Sequence, residues 1–167
     1  MKRVLAPGLL AALLAAGCAG GAGHAGDAAL PVTLLYGNAQ CLGVSQPGLT
    51  WIDDPVAWRQ RYQQLTSAWM NPSPLPVVDF SRAGVLLVAM GARSSAGYVL
   101  RLAEPDAHVA DGVLTLQVDW QEPAPGYAQA QVLSSPCLLL RVPAAAFSRI
   151  RVLDQQGRER LAGDRRP

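Results

Sequence analysis

From Leu114 to Trp120 the chain alternates with period two. Leu114, Leu116, Val118 and Trp120 fall on one side, and Thr115, Gln117 and Asp119 on the other. An extended strand with one face on a core separates residues in this way. Tyr98, Leu100 and Leu102 alternate with Val99 and Arg101 in the same manner. Val85 to Met90 is a continuous apolar run, which suits a central strand buried on both faces. Val32–Tyr36 reads as a first strand, Ala128–Leu133 and Cys137–Val142 as two later ones, and Ile150–Leu153 as the last. Ser134-Ser135-Pro136 separates the middle pair, and Pro136 belongs at a bulge or an edge. Turn-forming residues punctuate the series: Gly37 to Gly48 (a loop carrying Cys41), Gly91 to Gly97, Glu104 to Gly112 and Glu122 to Gly126.

One segment follows a different period. Asp53-Asp54-Pro55 is a helix start, with acidic caps and then proline at the first helical position. Trp58, Tyr62, Leu65 and Trp69 follow at helical spacing, opposite Arg59, Gln60, Gln63 and Gln64. Asn71-Pro72-Ser73-Pro74-Leu75-Pro76 ends the helix. The fold expected is mainly β within the α+β class. It is an antiparallel meander curled into a sandwich or half-barrel, with one N-terminal amphipathic helix packed on it. In such a meander the Gly91–Gly97 and Glu122–Gly126 turns share an end. They make Ser94, Ser95, Gly97, Tyr98, Pro125 and Gly126 the candidate partner-binding residues.

The start of the chain sets the compartment. Met1-Lys2-Arg3 is a positive region, Leu9 to Ala16 a short apolar one, and Ala15-Ala16-Gly17 places small residues before Cys18. That order is a secretory signal, too short for a membrane span. Ala-Ala-Gly-Cys resembles the bacterial lipobox, with Ala15 where leucine is usual. The resemblance implies acylation of Cys18, the first residue of the mature chain. Ala19 in place of aspartate is similar to signals that send lipoproteins to the outer membrane, here facing the periplasm. The organisation expected is therefore a signal peptide over 1–17, a flexible Gly- and Ala-rich tether over 18–30, one β domain over 31–157 and a charged, frayed tail over 158–167.

Half of the residues are hydrophobic and 16% are charged, enough apolar material for one core. Lys2 and Arg3 lie in the leader. Of 14 basic residues that leaves 12, all arginine, against 12 acidic ones. A neutral chain with dispersed arginines is not a nucleic-acid binder. With Cys18 acylated, Cys41 and Cys137 remain as a pair in an oxidising compartment. They form a disulfide, or else two separate buried thiols.

Catalytic signals are sparse. His108 is the one histidine beyond His24 of the tether, and it sits in an expected hairpin turn. No nucleophile elbow, zinc-binding helix or phosphate loop occurs, and no cofactor motif is recognisable. Asp53 and Asp54 are better read as helix caps than as an acid–base pair. The reading is of a non-catalytic protein without metal or cofactor.

Several segments resemble the PrcB family, named for a protease complex subunit. They are Asp79-Phe80-Ser81, the apolar strand from Val85 ending at Gly91, Ser95-Ala96-Gly97-Tyr98, Pro125-Gly126 and Ser135-Pro136. The Asp53 to Trp58 helix start also fits. Ala96 stands where the family's Gly-Gly-Tyr turn has its first glycine. The resemblance implies an exported, non-catalytic lipoprotein, a binding or scaffold module of the cell envelope associated with a protease complex. Its partners would be the membrane, through the lipid anchor, and an envelope protease or other protein. Ser-Ala-Gly-Tyr between two strands also resembles a loop of chagasin-type inhibitors. That implies the alternative of a protease inhibitor presenting loops from a β-sandwich.

Overall fold

The structure, a computed structural model, describes residues 28–126 and 128–165. The expected signal peptide, Cys18 and most of the expected tether lie outside them. In chain order the elements are β1 (Ala28–Pro31), β2 (Thr33–Asn38), β3 (Gly48–Ile52), α1 (Pro55–Thr66), β4 (Ala83–Ala89), β5 (Val99–Leu102), β6 (Asp106–Ala110), β7 (Val113–Gln121), β8 (Cys137–Pro143), β9 (Arg149–Leu153) and β10 (Glu159–Asp164).

The strands form two sheets. One has the order β2-β8-β4-β3; the other runs β1-β6-β7-β9-β10, with β5 also pairing with β7. The sheets face one another across a shared core. Leu86, Val88, Met90, Leu138, Leu140 and Val142 come from one side, and Leu100, Leu114, Leu116, Val118, Trp120, Ile150 and Val152 from the other. This is a sandwich-like arrangement of two sheets, with no closed barrel.

Strands β4 and β8 explain the layering. Both are apolar at successive positions, so each needs cover on two faces. Their second faces, Val85, Leu87, Ala89, Cys137 and Leu139, pack under α1 against Trp58, Tyr62 and Leu65. Asp54 caps that helix, its carboxylate accepting from the N–H groups of Val56 (2.9 Å) and Ala57 (2.7 Å). The Trp58 indole donates to the Pro76 carbonyl (3.1 Å) and the Tyr62 hydroxyl to that of Ser73 (3.1 Å), which lays the proline segment along the helix.

The structure corrects several expectations. The helix stops at Thr66, and Trp69, expected on its buried stripe, is 44% exposed. The chain turns away there to bring Ser73 and Pro76 back to the helix. Leu49 to Ile52, expected in no element, form β3, which pairs with β4. Glu104 to Gly112 is not one polar turn. Ala107 is fully buried, so Asp106–Ala110 is drawn into β6, and His108 lies on a strand opposite Ala29 and Thr115. The hairpin turn is only Asp111-Gly112, both at positive φ. Ala128–Leu133 is not a strand, and Leu133 is 76% exposed.

The two ends of the domain also differ from expectation. Ala28–Leu30, assigned to the tether, pair with β6, and Glu159–Asp164 of the expected frayed tail form β10 against β9. Nor is the path a meander. Residues after β7 cross to the other sheet for β8, because only the sheet beneath α1 can cover both faces of Cys137–Leu140. The chain then returns to place β9 parallel to β7.

Cys41 and Cys137, 96 positions apart in sequence, are joined by a disulfide with Cα atoms 6.0 Å apart. Both are buried. A loop of that length contributes about 4 kcal/mol through the entropy of the unfolded chain. Replacing both cysteines by alanine should lower the unfolding free energy by about that amount in urea titrations. A loss below about 1 kcal/mol would show that the cross-link restrains little.

Candidate partner-binding site

The two turns singled out in the sequence do approach each other. A Cβ placed on Gly97 would lie 3.1 Å from Pro123 Cβ and 3.2 Å from Gln129 Oε1. Gly97 has φ +94°, so glycine is required there both for backbone freedom and for space. Ala96 is not at positive φ, and its N–H donates to the Ala130 carbonyl (2.9 Å). Alanine therefore fits where the resembling family carries glycine.

The first turn is held from below. Arg93 and Ser134 exchange backbone hydrogen bonds of 2.7 and 2.9 Å, and the Arg93 guanidinium lies 5.0 Å from the centre of the Tyr98 ring. Gly91, at φ +78°, ends the β4 run where a Cβ would meet Pro47 at 2.6 Å. Ser94 is exposed, and the half-buried Ser95 accepts through its carbonyl from the Ser134 hydroxyl (3.5 Å). Pro125 and Gly126 form an exposed tip, and a Cβ on Gly126 would meet nothing within 4 Å.

A charged network holds the base of the second turn. Asp154 is fully buried. Its carboxylate accepts from the N–H groups of Gln156 (2.9 Å) and Arg158 (3.0 Å), and from the guanidinium groups of Arg158 (3.0 Å) and Arg160 (2.8 Å). Arg160 also lies over the Trp120 ring and reaches Glu122, which accepts from the Trp120 indole (2.9 Å). The Gln155 side chain bonds both the N–H and the C=O of Trp120, extending the ladder where β9 has ended. Burial opposes ionisation of Asp154, but the backbone and guanidinium donors outweigh it and hold the carboxyl at about 2.

Beside these turns lies a cleft of about 780 Å³. Its walls are edge strands of the two sheets, β2 and β5, which are not paired with each other. They are bridged where the Val32 N–H donates to the Pro105 carbonyl (2.7 Å). Leu34, Tyr98, Leu100, Leu102 and Leu138 supply the apolar lining, and Arg101 and Glu104 are its charged members among the described residues. Of the six residues proposed from sequence, the structure brings Tyr98 alone into this cleft. Gly97 and Ser95 shape the turn that leads to it, while Ser94, Pro125 and Gly126 stay outside. Leu34 and Leu138 escaped the sequence reading because they belong to distant segments that only the sandwich brings together. Among the described residues, no three His, Cys, Asp or Glu gather as a metal site would need. No helix there is long and apolar enough to cross a membrane.

Residues 85–143 match the family model described as PrcB C-terminal. The match runs from β4 to β8, so it includes both turns, the β5 wall and Leu138, but not the β2 wall. No curated protein and no solved structure matches the chain.

Two outcomes follow from this geometry. Gly97→Ala should cost about 1–2 kcal/mol in urea unfolding, whereas Ala96→Gly should cost less than about 1 kcal/mol. For Asp154, a carboxyl held below its unfolded value stabilises the fold above that value. The contribution is lost as pH falls from about 4 toward 2. Asp154→Asn should be less stable at pH 7 and should show a flatter loss of stability across that window. A variant whose pH profile overlays the wild type would remove the electrostatic role assigned to the carboxylate.

Proposed function

We propose, from the match of residues 85–143 to the PrcB C-terminal model, that this protein is a lipid-anchored, non-catalytic binding module of the cell envelope, associated with a protease complex. The protease association rests on the family resemblance. The anchor rests on the leader ending at Cys18, and Ala19 supports the outer membrane, on its periplasmic side. Two or more acyl chains, at about 0.8 kcal/mol per buried methylene, hold such a protein stably at a bilayer.

The observation that carries the reading is the placement of the two ends of the domain. The chain enters at Ala28, which lies opposite Val109; Val109 in turn lies opposite Leu114, near the start of β7. The turns and the cleft lie toward Gln121, at the far end of that strand. From Leu114 to Gln121 the rise is roughly 23 Å at about 3.3 Å per residue. The turns and the cleft therefore lie at the end of the domain opposite the point where a tether from Cys18 would join it, free to meet a soluble or neighbouring protein. The lining of the cleft is apolar with few titratable groups, which suits binding rather than acid–base chemistry.

The approach of the Gly97 and Pro123 turns favours a second reading, a chagasin-like protease inhibitor. Its test is simple: absence of papain inhibition at micromolar protein removes it.

The main reading predicts that full-length protein, expressed with its own leader in a two-membrane bacterium, fractionates with the outer membrane and carries acyl mass on Cys18. Cys18→Ser should lose both properties. Photo-crosslinkers at Ser94, Pro125 and Leu34 should then capture one discrete protein partner in the envelope. Uncleaved protein free in the cytoplasm would overturn the anchored reading, and crosslinkers that capture nothing would overturn the binding role.

A further inference from the structure

We infer that the second edge of β5 receives an extended segment of a partner protein, added as a strand along the apolar cleft between β5 and β2. The inference rests on the binding-module reading and says what chemistry the partner brings.

Hydrogen-bond parity defines the edge. Ala103 N–H donates to the Gln117 carbonyl (3.2 Å), and the register places Leu102 opposite Val118, Arg101 opposite Asp119 and Leu100 opposite Trp120. In an antiparallel ladder, bonded and non-bonded pairs alternate. Arg101 and Val99 thus bond to β7 with Ala103, while the N–H and C=O groups of Leu100 and Leu102 point the other way, into the cleft. The backbone of Trp120 agrees with this parity, since Gln155 engages it from the opposite edge of β7.

Edge strands invite pairing, and native proteins usually blunt them with proline, bulges or short length. Three of the other edges here show such devices, while β3 is regular over five residues and shows none of them. β1 spans Ala28 to Pro31 and ends in proline, β2 is irregular between Leu34 and Tyr36, and β10 is irregular between Glu159 and Leu161. β5 is short, at four residues, but it has no proline and a regular register, and no strand among the described residues pairs with its cleft side. Leu34, 49% exposed, stands on the facing wall. A strand laid there would place every second side chain against Leu34, Leu102, Leu138 and Tyr98.

Three occupants can be weighed. The chain's own residues 19–27 contain no large apolar or β-branched side chain to fill the cleft, and they join the domain at Ala28, the far end of β7 from β5. A second copy paired edge to edge with Leu100 opposite Leu102 would set Arg101 against its own copy, a like-charge pair, whereas pairing Leu100 with Leu100 would not and would show itself as a concentration-dependent dimer. The rim itself carries one Arg101 and one Glu104, so no net charge is asked of a guest. An uncharged partner segment that alternates apolar and polar residues is the occupant that this neutral rim and apolar lining fit.

The test uses the mature protein and a labelled, end-capped octapeptide alternating valine and threonine, with a second peptide N-methylated at every other residue. Amides of Leu100 and Leu102 should exchange rapidly in the free protein and become protected when the first peptide binds. Leu102→Pro removes an N–H that faces the cleft and spares the β7 ladder. It should weaken binding by about tenfold or more, while Leu102→Ala, which keeps that N–H, should weaken it less than about threefold. Unchanged melting temperatures would show that both variants fold. If Leu102→Pro melts early, the N-methylated peptide decides alone: it should bind about tenfold more weakly to the wild type.

Equal binding of the two peptides, or no binding of either, overturns the inference. So does slow exchange at Leu100 and Leu102 in the free monomer, which would mean that the chain fills its own cleft. A concentration-dependent dimer abolished by Leu102→Pro would put a second copy there and overturn it too. A partner crosslinked at Ser94 or Pro125 with β5 still free overturns strand addition but leaves the binding module standing.

Discussion

The burial of β4 and β8 on both faces governs the rest of the molecule. Two adjacent strands with no polar face cannot sit on the surface of a sandwich, so one sheet must itself be covered. The helix supplies that cover with Trp58, Tyr62 and Leu65, and the opposite sheet supplies the other. Once β8 is committed to the covered sheet, the chain must leave β7, cross the core and come back. The long excursion from Glu122 to Pro136 and the parallel pairing of β7 with β9 are both consequences of that crossing. The turns at the far end of β7 are the by-product of the same detour.

Much of the fold was legible where one physical signal dominated. The alternation of Leu114 to Trp120 and the unbroken apolar run from Val85 named two strands and their burial correctly. The helix start at Asp54-Pro55 was equally plain, because capping and proline placement agree. The end of that helix was not. Trp69 continues the helical spacing, and only the return of Ser73 and Pro76 to Tyr62 and Trp58 explains why the chain leaves earlier. Strand β6 was hidden in Glu104 to Gly112 by its polar composition. The cue that marks it is the Asp111-Gly112 pair, a two-residue hairpin turn with Ala107 and Val109 alternating before it.

The candidate site was legible only in part, for a similar reason. Sequence reasoning finds turns, and it found the pair that meet at Gly97 and Pro123. A cleft between edge strands is a property of two sheets together. Leu34 and Leu138 are over a hundred positions apart, and neither carries a local mark of exposure at a seam. The glycine at 97 and the alanine at 96 show how finely local chemistry can be read once φ is known. The tolerated exchange falls at ordinary backbone and the retained glycine at the left-handed position.

The bond between Cys41 and Cys137 has a consequence for how this chain comes into being. A polypeptide that emerges N-terminus first exposes the earlier thiol long before the later one, with 96 positions of sequence still to appear. Throughout that interval β2 has no neighbour, because its partner in the sheet, β8, begins with the second thiol. Neither ladder nor covalent lock can close before β8 has emerged. Maturation therefore depends on a sulfur atom that must wait unreacted while the helix and five strands, β3 to β7, are delivered around it.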